Sequence, residues 1–139
     1  MHKGDWRLSL AHARENLPAE VGVYKFYYGL RHGSMKAGLY APEHIDTQGP
    51  HKQDELYVVV SGTGDFVKND DRIRFAPHDV LFVEAGSTHR FENFSDDFST
   101  WVIFWGPDGG EQGVASSGER RGDVEPVTRM LPSARLPTP

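Results

Sequence analysis

The sequence contains no cysteine. Disulfide bonds, zinc sites built on thiolates and a cysteine nucleophile are therefore all excluded. Basic residues are also few, because 15 Lys and Arg stand against 20 Asp and Glu and give a net charge of -5. A chain with this charge lacks the basic surface with which proteins bind nucleic acid, so we expect no nucleic-acid partner.

Long apolar runs are missing as well. No segment approaches the roughly 18 apolar residues that a membrane span requires, so we expect no association with a membrane. The first residues, Met1 to Leu8, lack the apolar stretch of a signal peptide. These features together predict a cytoplasmic protein.

What the sequence does contain is a series of short segments with β-strand character. Stretches rich in valine and aromatic residues recur at short intervals, with glycine, asparagine and aspartate between them. Two such strands are expected over Val21 to Leu30 and Ser34 to Tyr40, and one amphipathic helix over Leu8 to Leu17. About eight strands with almost no helix favour an all-β double-sheet jelly roll over a parallel α/β sheet.

The length of 139 residues fits one domain with a core of its own. We divide the chain into an N-terminal helical extension (1–20), a barrel (21–106) and a C-terminal tail (107–139). The tail holds five of the nine prolines, five of the fifteen glycines and no aromatic residue. Such a segment cannot bury enough apolar surface to offset its ordering entropy, so we expect it to be loose.

A histidine and a glutamate flank the start of the strongest strand. His51 lies four residues before Glu55, and the apolar run that follows Glu55 ends at Gly62. On one straight strand the two side chains would lie roughly 13 Å apart, at about 3.3 Å per residue. A turn over 52–54 would instead make them cross-strand neighbours, so we predict a hairpin that brings both donors together.

A second histidine follows a similar pattern. Val80 to Val83 predicts a strand, 85–88 predicts a turn, and the alternation from His89 to Phe94 predicts the returning strand of a second hairpin. His89 and Phe91 would then share one face of that strand. Two such units can bring three donors to one ion inside a barrel.

At these positions the chain resembles the cupin family. The first cupin motif ends in His-x-His, three or four residues, Glu, six residues and Gly, and the chain matches its second His, its Glu and its Gly with His51, Glu55 and Gly62. The second motif matches at Gly86, His89 and Asn93. Departures from the two motifs are Gly49 at the first His position, His78 at the opening Gly and Glu84 at the Pro. The resemblance covers Ser34 to Gly106 and implies a double-stranded β-helix, the jelly-roll barrel of cupins.

The resemblance implies a metal held by His51, Glu55 and His89. Two imidazoles and one carboxylate form the donor set of a facial triad with open positions, so Fe(II) is the expected ion, while Mn, Ni, Cu or Zn would also be accepted. Glu55 is in addition the candidate catalytic residue, as a base if it leaves the ion.

A fourth ligand is left open, because Gly49 has no side chain to offer. Water could fill the position, and Gln53, Gln48 and His44 are the candidate side chains. Gln53 is of most interest because it lies between two proposed ligands, although an exposed turn residue is the simpler interpretation. Asp46 and Asp54 are expected to be solvated loop acids.

The residues that line the substrate pocket are predicted from strand alternation. Tyr57 shares a face with Glu55, Phe91 shares one with His89, and Trp101 lies in the strand of 99–105. An aromatic wall around a metal would suit a small, partly apolar or planar substrate, although most of these aromatics also fit an ordinary core.

Three functions follow from the resemblance. The first is a dioxygenase-like enzyme that acts on a small oxygen-chelating organic substrate. The second is an isomerase, epimerase or lyase that uses the metal as a Lewis acid, and the third is a non-catalytic cupin that binds a small ligand. The face of the strand opposite Glu55 is also apolar, through Leu56, Val58 and Val60. An apolar outer face predicts a homodimer.

Overall fold

In a computed structural model, the structure is described for residues 6–20 and 25–112, and it is dominated by antiparallel β-strands. The predicted all-β barrel with a short N-terminal helix is confirmed. The elements in chain order are α1 (Leu10–Glu15), β1 (Phe26–His32), β2 (Met35–Tyr40), β3 (Asp54–Ser61), β4 (Gly64–Lys68), β5 (Asp71–Phe75), β6 (Val80–Val83), β7 (His89–Glu92) and β8 (Ser99–Trp105).

The strands form two sheets. The larger sheet has the order β1-β2-β8-β3-β6, and the smaller one has the order β5-β4-β7. β8 therefore lies in the middle of the larger sheet, between β2 and β3. The strand predicted over 99–105 is therefore a central strand.

The core fills the space between the two sheets. Strand alternation directs every second side chain inward, as in β8, where Val102 and Phe104 are buried while Ile103 is half-exposed. The core is largely aromatic, and its members are Tyr40, Tyr57, Val59, Phe66, Phe75, Leu81, Val83, Phe91, Phe98, Val102 and Phe104. This packing fixes the inner face of each strand that carries a proposed ligand.

The helix α1 covers part of the outer face of the larger sheet. Ser9 caps the helix by accepting a hydrogen bond from the His12 backbone N–H, at 3.1 Å. Ala13 of the helix and Leu39 of β2 are both fully buried. No helix within 6–20 or 25–112 has both the length and the apolar character needed to cross a membrane.

Two of the local predictions need correction. β6 and β7 were predicted to form a hairpin, but β6 belongs to the larger sheet and β7 to the smaller one. The connection between them crosses from one sheet to the other. His51 likewise lies in an irregular segment before β3, so it is not a cross-strand neighbour of Glu55. Alternation within a segment identifies a strand but not the sheet to which that strand belongs.

The structure describes some of the predicted segments only in part. β4 and β5 form a hairpin, in which Lys68 pairs with Asp71. The first predicted strand is found as β1, although residues 21–24 lie outside the described part of the chain. Most of the predicted tail, 113–139, lies outside it as well.

Candidate metal centre

The three proposed ligands lie at the starts of β3 and β7 and in the segment before β3. Glu55 is the second residue of β3, and its side chain points inward beside the core residue Tyr57. His89 is the first residue of β7 in the opposite sheet. The backbone N–H of Gly86 donates to the His51 carbonyl at 2.8 Å, which ties the loop before β3 to the loop before β7.

The donor atoms of these residues lie within 4.8 Å of one another. Glu55 Oε1 is 3.2 Å from His89 Nε2 and 3.8 Å from His51 Nε2. Neighbouring ligands of an octahedral or tetrahedral ion, with bonds of about 2.1 Å, are separated by roughly 3.0–3.4 Å. The distance between Glu55 and His89 falls within this range, and His51 lies a few tenths of an ångström beyond it. A small movement of the His51 side chain would therefore let the three donors share one cation.

Two of these atoms are buried without a hydrogen-bond partner. They are Glu55 Oε1 and His89 Nε2, and their side chains are 1% and 0% exposed. A buried carboxylate is costly unless it is paired with a charge or binds a metal. The residues present therefore fit a divalent cation, which would satisfy both atoms at once.

His89 is held in the form that a metal requires. Its Nδ1 donates to the Ser87 carbonyl at 2.9 Å, so Nε2 faces Glu55 with its lone pair free. Burial, the largest effect, would lower the pKa of His89, but the Glu55 carboxylate 3.2 Å away and the hydrogen bond to the Ser87 carbonyl together outweigh it and raise the pKa. A proton can therefore take the place of the metal between His89 and Glu55.

His51 lies on the solvent side of the group. Its side chain is 27% exposed, and its ring stands edge-on to Phe104 with centroids 5.1 Å apart. Burial lowers the pKa of His51, and the nearby carboxylate of Glu55 offsets only part of that shift. The charge of Lys36 adds to the lowering. Small molecules would approach the group from the His51 side, because the other two ligands are fully enclosed.

Gln48 is the candidate fourth ligand that the structure brings to the group. Its Oε1 accepts hydrogen bonds from His51 Nε2 at 3.0 Å and from the Tyr57 hydroxyl at 3.1 Å. Its Nε2 donates to Asp46 Oδ2 at 2.8 Å. These partners fix which end of the amide faces His51.

Asp46 is not the solvated acid that the sequence predicts. It is buried, and it accepts hydrogen bonds from the Tyr40 hydroxyl at 2.6 Å and from the Phe91 backbone N–H at 2.8 Å, besides its bonds to Gln48. Its partners come from strands of both sheets, which no local pattern reveals. The only signal in the sequence is its place two residues before Gln48.

The same correction applies to Asp54. It is buried, and its carboxylate accepts from the backbone N–H groups of Ala85 and Glu111, each at 2.9 Å. It therefore fixes the loop before β7 to the segment that follows β8.

The other candidate ligands lie elsewhere. Gln53 donates its amide to the carbonyls of Ser34 and Gly106, each at 2.9 Å, and so has a structural role. His44 is exposed and is not a member of the group of mutually close donors.

The predicted lining residues divide between the two faces. Tyr57 and Phe91 are fully buried and contact each other edge-on, with centroids 4.8 Å apart. Trp101 pairs with Val58 on the outer face of the larger sheet, whereas Val102 pairs with Tyr57 on the inner face. The prediction that Trp101 lines the pocket is therefore wrong. Phe104, with the opposite parity, is the β8 residue beside His51.

Tyr57 is the polar member of this lining. Burial raises its pKa well above the usual value for a phenol, and the charge of Glu55 raises it further. Tyr57 therefore keeps its proton and acts as a hydrogen-bond donor within the group.

The comparisons with known proteins agree with this architecture. Residues 38–105 match the family model described as Cupin domain. An uncharacterized protein of Streptomyces coelicolor is 38% identical over 92 residues, which are 65% of this chain and 86% of the relative.

Solved structures show the same fold. A Cupin 2 conserved barrel domain protein from Salinispora arenicola is 18% identical with a TM-score of 0.55, over 67% of this chain and 83% of that chain. A cupin superfamily protein from Desulfitobacterium hafniense is also 18% identical, with a TM-score of 0.52 over 64% of this chain and 83% of that chain. With its two-sheet barrel and its His-Glu-His group at one end, this chain belongs to the cupin family.

Proposed function

We propose that the protein is a metal-dependent enzyme that acts, in a dioxygenase-like manner, on a small organic substrate with chelating oxygens. The observation that carries the proposal is the buried pair of Glu55 Oε1 and His89 Nε2, 3.2 Å apart and without hydrogen-bond partners. Two histidines and one carboxylate with open positions are typical of non-haem iron oxygenases, so we propose Fe(II). Mn, Ni, Cu and Zn fit the same donor atoms.

A bound transition metal would polarise chelated substrate oxygens, and a redox-active one would also allow the substrate to react with dioxygen. Residues around the centre determine which side of it is closed to water and which side is open. Phe104 and the buried Tyr57 exclude water from the inner side, while the partly exposed His51 marks the open side. A small planar substrate would therefore meet the ligands with one edge and the aromatic lining with its face.

Gln48 is proposed as the fourth ligand. If His51 Nε2 binds the metal it carries no proton, and Gln48 Oε1 then faces a second lone pair at 3.0 Å. Rotation of the amide cannot relieve this contact, because it would place the oxygen against the Asp46 carboxylate. Sharing the cation resolves the conflict, since an amide oxygen is itself a metal ligand.

Glu55 and Tyr57 support a second candidate, an isomerase, epimerase or lyase. Such reactions need a proton acceptor and a proton donor near a polarised substrate oxygen. Tyr57 keeps its proton because of its raised pKa, and the charge of Glu55 contributes to that shift. If Glu55 left the ion, it would be the base.

Metal content and oxygen consumption test these proposals together. We expect protein purified without chelators to hold about one transition-metal ion per chain and to consume oxygen with a catechol, a diketone or a sugar acid. Turnover without dioxygen would favour the isomerase or lyase. Tight ligand binding without any product would favour a non-catalytic binding protein, and a chain that stays empty after loading would remove the metal centre.

A further inference from the structure

The inner face of the larger sheet carries a row of residues that crosses four strands at the end with the metal centre. Arg31 of β1 pairs with Lys36 of β2, and Lys36 pairs with Phe104 of β8. Phe104 pairs in turn with Glu55 of β3. Because paired residues of antiparallel strands share a face, Lys36 lies two strands from a proposed ligand, on the same side of the sheet.

Two cations in this row are placed unfavourably. Arg31 and Lys36 are directly opposite each other, an arrangement that destabilises a sheet when both residues carry the same charge. In the part of the chain that the structure describes, neither residue forms an ion pair, while five other basic residues do. This is unexpected in a chain with a net charge of -5.

Both cations of this row contact aromatic rings. Arg31 Cζ is 4.7 Å from the Tyr28 ring centroid, and Lys36 Nζ is 5.5 Å from the same ring. Lys36 Nζ is also 5.4 Å from the centroid of Phe104, the ring that contacts His51. Both charges therefore lie over aromatic faces, and Phe104 connects Lys36 with the His51 side of the centre.

We propose that Lys36 and Arg31 bind the carboxylate of an anionic substrate whose other oxygens meet the metal centre. The inference rests on the proposed function, in which the other end of the substrate chelates the metal. An anion between the two cations would remove their repulsion, and the rings of Tyr28 and Phe104 would contact a planar body between its two polar ends. The substrate class is thus a small planar carboxylate with a chelating oxygen pair.

Two probes with the same chelating group, one of which also has a carboxylate, measure how much the carboxylate contributes to binding. Catechol carries only the two hydroxyls, and 3,4-dihydroxybenzoate adds one carboxylate. Calorimetric titration of Zn(II)-loaded protein avoids redox chemistry. We expect dihydroxybenzoate to bind at least about tenfold more tightly than catechol, with a preference that weakens as salt is added.

Variants locate the source of the preference. Lys36→Gln and Arg31→Gln should each weaken dihydroxybenzoate binding about fivefold or more and leave catechol within about twofold. Arg14→Gln removes the same charge from α1, which covers part of the outer face of the sheet, and should change neither value. Equal binding of the two probes by the wild type, binding of neither, or equal weakening of both by Lys36→Gln would overturn the inference. None of these outcomes resembles failure of the metal centre, which would show as loss of Zn(II) binding.

Discussion

Glu55 of the larger sheet and His89 of the smaller sheet meet in the barrel interior, with Oε1 and Nε2 3.2 Å apart and no hydrogen bond to either atom. Removal of one partner tests whether this contact is a metal site. We expect His89→Ala to lower the affinity for metal at least about a hundredfold, because the remaining donors would no longer enclose the ion. The variant should therefore retain no metal through purification. Elemental analysis and competition with a chelator measure metal retention and affinity.

His32→Ala is the matched control, since His32 is an exposed histidine at the end of β1. It should bind metal as the wild type does. Wild-type stoichiometry in His89→Ala would remove the site.

The affinity for metal should fall as the pH falls, because one proton competes with each ion; the slope of log affinity against pH should therefore be about one. His89 has a raised pKa, so a proton competes with the metal as the pH falls through that raised value, and the affinity drops about tenfold per pH unit below it. His51 has a lowered pKa, so it gains its proton at a lower pH than His89 does. Zn(II) competition titrations between about pH 5 and 8 would show this. A slope of two protons, or none, would contradict the assignment.

The proposed fourth ligand can be tested with two glutamines. Gln48→Ala removes the oxygen that contacts His51, whereas Gln53→Ala removes an amide bonded to the Ser34 and Gly106 carbonyls. We expect the first variant to bind Co(II) about tenfold more weakly, with a changed visible absorption spectrum, and the second to keep both properties. If Gln48→Ala kept wild-type affinity and spectrum, Gln48 would be a neighbour and not a ligand.

The buried Asp54 predicts a defect in stability. Asp54→Ala leaves the backbone N–H groups of Ala85 and Glu111 without their acceptor, at a cost of about 1–3 kcal/mol for each group that stays buried. We expect a loss of about 2–4 kcal/mol in the free energy of unfolding, measured by urea denaturation. Asp96→Ala, at an exposed loop acid, is the control. A loss within the error of that control would mean that water replaces the carboxylate.

A homodimer remains a proposal, and the outer face of the larger sheet supports it. Phe82 and Val80 of β6 are 46% and 60% exposed, and they pair with Leu56 and Val58 of β3 to form a continuous apolar surface. We expect a dimer in sedimentation equilibrium and at least a tenfold weaker association for Phe82→Glu. Ile45→Glu changes an exposed loop residue outside this face and should not alter it. A monomeric wild type would refute the proposal.

The three proposed ligands could be named from the sequence because His51, Glu55 and His89 occupy ligand positions of the two cupin motifs that the chain resembles. Their surroundings could not. Each contact of Asp46 with Phe91 or of Asp54 with Glu111 joins residues more than 40 positions apart, so no local pattern contains it.

The prediction that Trp101 lines the pocket was wrong for a related reason. Every residue of β8 from 101 to 105 is apolar, so alternation alone gives no sign of which face is inside. Only the register with β3 decides it, since Phe104 pairs with the acid Glu55.

Because Glu55 and His89 belong to different sheets, one ion bound by both would cross-link the two layers of the barrel. The layers could then separate only after the ion had left or as it left. We expect the rate of metal dissociation to follow the opening of the sandwich and to be slow even where the equilibrium affinity is modest. Mutations in the aromatic interior, far from any ligand, would then shorten the lifetime of the bound ion.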